Sequence, residues 1–223
     1  MKATGDGGAS ARLGRLGMHL EVATITWNVV EAGMAVVSGV LAASVALTGF
    51  GVDSAIEVIS AALVLIRLRA GLAGREPDET AERRTLRAVA LCFLALAVYL
   101  VADGVAALVT NARPQISPVG IVITALALVV MPTLAVAKVR TGRPMGNPLL
   151  IADAGETRLC AALAAATLVS VALYAGLAWG WADPVAGFVI AAVALWEGRR
   201  PGRASWVVSE VLSLPCGPRH DVR

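Results

Sequence analysis

Four side chains with metal-ligand chemistry occur as two pairs, each with its members four residues apart. Asp53 and Glu57 lie in LTGFGVDSAIEVISAALVLIRL (47–68), and Glu156 and Cys160 in LLIADAGETRLC (149–160). Residues i and i+4 of a helix share a face, so each pair presents two donors in one direction. Carboxylate oxygens with one thiolate form a borderline set that suits zinc, and also cobalt, iron(II), manganese or cadmium. The sulfur argues against magnesium and calcium. Taken alone, Cys160 reads as a small packing residue in the alanine-rich face CAALAAATL.

Both stretches are apolar enough to lie in a bilayer, where a carboxylate is costly and faces a bundle interior or a water-filled path. The chain as a whole agrees: of 223 residues, 57% are hydrophobic and only 16% charged, with mean hydropathy +0.75. A soluble domain could not hide that much apolar surface, so the composition defines an integral membrane protein. Six apolar segments, 21–43, 47–69, 86–109, 117–138, 148–178 and 183–197, each come near the ~20 residues that cross a ~30 Å hydrocarbon core. The expected fold is therefore all-α, a polytopic bundle of six transmembrane helices. Its expected divisions are a flexible basic lead (1–20) without the apolar run of a cleavable signal, the six-helix membrane domain (21–198), and a short tail (199–223) too small for a domain of ordinary size.

The basic residues give an orientation. Assigning Lys138, Arg140 and Arg143 to the loop after segment four puts seventeen Lys and Arg on the side of the two termini, against Arg113 alone on the other. The positive-inside rule places both termini in the cytoplasm. The net charge of +3 thus reflects topology, and no nucleic-acid partner is implied. The three cysteines, Cys92, Cys160 and Cys216, show no disulfide spacing.

Height along the membrane then decides whether the two pairs can meet. At ~1.5 Å rise per residue, Asp53 and Glu57 fall ~10 and ~15 Å below the outer face, and Cys160 and Glu156 at ~12 and ~18 Å on the antiparallel segment five. Asp53 is matched in height with Cys160 and Glu57 with Glu156, so that all four can close on one ion if segments two and five are neighbours.

Other polar residues are weaker candidates. Glu31 lies near mid-membrane with Asn28 one turn before it, and reads either as an additional ligand or proton relay or as a packing hydrogen bond. Asp103 sits near the outer end of segment three, on an exit path or at the interface. Asp153 lies nearer the cytoplasmic mouth, as an ion relay or an acceptor from Arg158, which itself is expected to snorkel or pair with an acid. Asp183 with Pro184 is a helix-start signal, Pro132 is expected to bend segment four, and Cys216 and His220 read as tail.

The order of these motifs resembles the cation diffusion facilitator superfamily of divalent-metal/proton antiporters. In that family the second helix carries an acid-x-x-x-acid pair after a short turn, like Asp53 and Glu57 in GFGVDSAIE. The fifth carries Ala-Asp, like Ala152 and Asp153, then a histidine and an aspartate, where this chain has Glu156 and Cys160. The sixth opens with Asp-Pro, like Asp183 and Pro184. The resemblance covers nearly the whole membrane portion and implies export of a divalent transition-metal ion, zinc first, from the cytoplasm across the inner or plasma membrane in exchange for protons, by a homodimer. For the family's usual C-terminal metal-binding domain, no counterpart is expected in the short tail 199–223.

The rival reading from the residues is a proton-coupled small-molecule transporter using Glu31, or a membrane sensor or scaffold. An enzyme is not expected: there is no Gly-rich phosphate loop, no Ser/His/Asp set and only two histidines, both near the termini. No cofactor is expected beyond the transported ion.

Overall fold

The computed structural model describes residues 6–75, 79–111 and 113–199, and they form six helices: α1 (Asp6–Ala42), α2 (Val45–Leu72), α3 (Glu79–Thr110), α4 (Pro118–Met145), α5 (Pro148–Leu177) and α6 (Ala182–Gly198). Five are long and apolar enough to cross a membrane, and the sixth offers a shorter apolar stretch, Ala182–Trp196. Cys216, His220 and the rest of the tail beyond Arg199 lie outside the described residues.

Local sequence sets the helix ends. Ser44 caps α2 by accepting from Leu47 N (3.1 Å), and Ser117 and Asn147 do the same for α4 and α5, each followed by the proline that suits the first helical position. Two helices run beyond their expected limits. α1 starts at Asp6, inside the stretch read as a flexible lead, because Gly14 and Gly17 let it lie against Leu72, Leu68 and Leu150. α4 continues through Pro132 to Met145, past Lys138, which the basic-residue count had assigned to a loop. Lys138 is fully buried inside the bundle, so it is not the loop charge that the count expects.

The bundle is polar inside and apolar outside, as a membrane requires. Val37, Leu41, Val98, Val109 and Val129 are exposed, whereas Glu21, Thr24, Asn28, Glu31, Thr124, Lys138 and Thr157 are fully buried. α2 is the central helix: it packs on α1, α3, α5 and α6, and 61% of its most apolar stretch is buried, against 28–33% in the other four spans. The turns collect at alternate ends. Gln115 N donates to Ala42 O (2.7 Å), and Asp183 reaches Ser44, so the α1–α2, α3–α4 and α5–α6 connections share one end, with the α4–α5 turn at the other.

Small residues let α1 and α2 approach backbone to backbone. A Cβ on Gly51 would stand 2.7 Å from Val36 N, and one on Gly39 2.5 Å from Thr48 N. Gly51→Val is therefore expected to pry the pair apart and cost about 1–3 kcal/mol, read as a lower melting temperature of the detergent-solubilised protein. Gly33→Ala, with no atom near its new methyl, should melt like the parent.

Candidate metal site

α2 and α5 are neighbours, and two contacts fix their register. Thr157 Oγ1 donates to Glu57 Oε1 (2.7 Å), and Ser54 Oγ lies 3.9 Å from Cys160 Sγ. One contact sets Glu57 at the level of the residue after Glu156, and the other sets the residue after Asp53 at the level of Cys160. The relative register of α2 and α5 thus lies within one residue of the pairing expected from helical rise. Asp53, Glu57 and Glu156 line one small cavity with Phe93, Leu159 and Val193. At about 20 Å³ it has room for roughly one water-sized occupant. Cys160 is buried beside it without lining it. Among the described residues no three His, Cys, Asp or Glu side chains form a finished metal cage. The four expected ligands therefore stand as neighbours, three around the cavity and one behind it, and do not form a closed set.

α1 adds a third polar face. Glu21, Thr24, Asn28 and Glu31 recur every three or four residues and are all buried, a stripe turned into the bundle. Neither carboxylate oxygen of Glu31 nor either polar atom of Asn28 has a hydrogen-bond partner among the described residues. Glu31 also feels the charges of Glu57 and Asp53 across the α1–α2 contact. Glu57 Oε2 is likewise buried without a partner. Buried polar atoms are nearly always paired, so an accumulation of orphans at one level calls for an explanation such as an ion, a proton or water.

Below this level lies a charge network that the sequence did not reveal. Lys138 of α4 forms a buried ion pair with Asp153 of α5, stands 3.3 Å from Glu21 Oε2 of α1, and donates to Thr157 Oγ1 (3.3 Å). Asp153 thus pairs with Lys138 and not with Arg158, which is exposed on α5. The signal for Glu21 was its place on the α1 stripe. Lys138 falls on an equivalent stripe of α4, with Thr124, Ala127, Met131 and Ala135 buried before it.

The remaining acids are placed elsewhere. Asp103 is half-buried and accepts from Tyr99 Oη (3.4 Å), away from the cavity. Asp183 is structural, but it caps a different helix from the one its sequence context indicated. It lies inside the first turn of α6, and its two oxygens accept from Ser44 Oγ (2.5 Å) and Val45 N (2.7 Å), which ties α6 to the start of α2.

The fold is a helical membrane bundle whose central helix brings carboxylates to a cavity shared with a second helix. The chain belongs to the cation efflux family: the model of the cation efflux transmembrane domain matches residues 22–207, nearly the whole membrane portion. Members of this family are cation transporters and not enzymes. No curated protein matches the chain.

Proposed function

We propose that the protein exports a divalent transition-metal ion, zinc first, in exchange for protons, with Asp53, Glu57, Glu156 and Cys160 as the ligands. The observation that carries this reading is the cavity lined by Asp53 and Glu57 from α2 and Glu156 from α5 inside a cation efflux bundle. Carboxylates bind metal when deprotonated, so metal and protons compete for the same oxygens and their exchange follows. Loading requires modest closure of α5 on α2, which brings the Cys160 sulfur toward the three carboxylates. Glu31, its oxygens unpartnered and within electrostatic reach of Asp53 and Glu57, is the proton relay or a further ligand, with Asn28 beside it. Asp153 stands nearer the α4–α5 end, and Asp103 near the opposite one. In this reading the chain crosses the membrane six times with both termini cytoplasmic, and works as a homodimer in the inner or plasma membrane.

The test is flux in vesicles containing the purified protein, with a proton gradient imposed. Zinc should move against the direction of proton flow and stop when the gradient is collapsed; magnesium should not move. Cys160→Ser, which exchanges a soft donor for a hard one, is expected to shift preference from zinc and cadmium toward manganese by about tenfold. Proton-gradient-independent zinc movement, or none at all, would refute antiport.

A further inference from the structure

The Lys138 network meets Glu57 at the Thr157 hydroxyl, and that geometry carries an inference about how the site is set. Thr157 Oγ1 accepts from Lys138 Nζ (3.3 Å) and has two acceptors within reach for its one proton: Glu57 Oε1 at 2.7 Å, and the Asp153 backbone carbonyl at 3.1 Å, the ordinary i−4 bond of a helical threonine. A hydroxyl has one proton to give. Donation to a carboxylate is the stronger choice, and an ammonium donating to the same oxygen polarises the O–H and strengthens it further. The ammonium is itself held from two other helices, by Glu21 of α1 and Asp153 of α5.

We propose that Lys138, clamped between Glu21 and Asp153, is a positioning residue of the cation site: it commits the Thr157 hydroxyl to Glu57 Oε1 and so leaves Oε2 as the oxygen offered to the ion. Oε2 is the oxygen of Glu57 that is buried without a partner. The network thereby sets the rotamer of a ligand on α2 from residues on α1, α4 and α5, none of which needs to touch the ion. Loss of the hydroxyl leaves Glu57 free to rotate, and the ion must then pay for ordering it. The inference rests on the metal-binding reading above and deepens it.

The experiment is isothermal titration of zinc into purified protein, with the melting temperature recorded for every variant. Thr157→Val should raise the dissociation constant about tenfold, the scale of a lost hydrogen bond to a charged group. Thr157→Ser should bind like the parent, since it keeps the hydroxyl. The neutral triple variant Glu21→Gln, Lys138→Gln, Asp153→Asn avoids stranded charge and should weaken binding to the same degree. Adding Thr157→Val to the triple variant should weaken it no further, because both changes act through one hydroxyl. Unchanged zinc affinity in Thr157→Val, or additive losses in the combined variant, overturns the positioning role, even if the melting temperature falls. If the parent binds no zinc, or Asp53→Ala binds as well as the parent, the metal-site reading itself fails and takes this inference with it.

Discussion

Alanine at Asp53 or at Glu156 is expected to abolish proton-driven zinc flux and to weaken equilibrium zinc binding at least ~100-fold, more than is typical for residues that only support a ligand. The two residues come from different helices and line the same cavity, so neither can substitute for the other. Asp53→Asn separates charge from shape: it keeps the volume and one oxygen but no anion, and should lie close to alanine, because a divalent ion in a low-dielectric interior needs compensating charge more than it needs an oxygen. The comparison is made at equal protein content in vesicles, with Gly33→Ala, whose added methyl meets no neighbour, as the variant expected to transport like the parent. Flux at the parent rate in both Asp53→Ala and Glu156→Ala would sink the metal assignment while leaving the bundle and its family untouched.

The parts of this arrangement that were legible in the sequence are those that depend on one helix at a time. A spacing of four places Asp53 with Glu57 and Glu156 with Cys160, and a fixed rise converts sequence position into depth. Those two rules match Asp53 with Cys160 and Glu57 with Glu156, and the contacts the fold makes, Ser54 with Cys160 and Glu57 with Thr157, each fall one residue away from that pairing. Lys138 was not legible, because a basic residue near the end of an apolar run is ordinarily where the run stops, and it was read as loop charge. What keeps it inside the helix is a pair of acids from α1 and α5, 117 and 15 residues away along the chain, and no single-helix rule contains that information. Asp183 shows the intermediate case. The residue type correctly announced a cap, but the end it caps belongs to α2, 138 residues earlier, because the short α6 begins where the α1–α2 turn leaves Val45 N without a partner.

Lys138→Met is expected to be the most destabilising single substitution in the bundle that creates no steric clash. Methionine nearly matches the aliphatic stem, so the change is one of charge, and it strands Glu21 and Asp153 in the interior with their common cation gone. Breaking a buried ion pair from one side costs about 3–5 kcal/mol, because the remaining carboxylate keeps its desolvation penalty and loses the attraction that offset it. Here one substitution strands two such groups and also removes the donor to Thr157. The expected result is low recovery from the membrane and a melting temperature well below the parent's. Pairing the substitution with Glu21→Gln and Asp153→Asn should recover most of the loss, since neutral amides need hydrogen bonds but no counter-ion. That recovery separates the two origins of the effect. If the lost packing of the lysine stem were responsible, neutralising the acids would change nothing; if stranded charge is responsible, the triple variant should be far more stable than the single one, although it carries three changes in place of one.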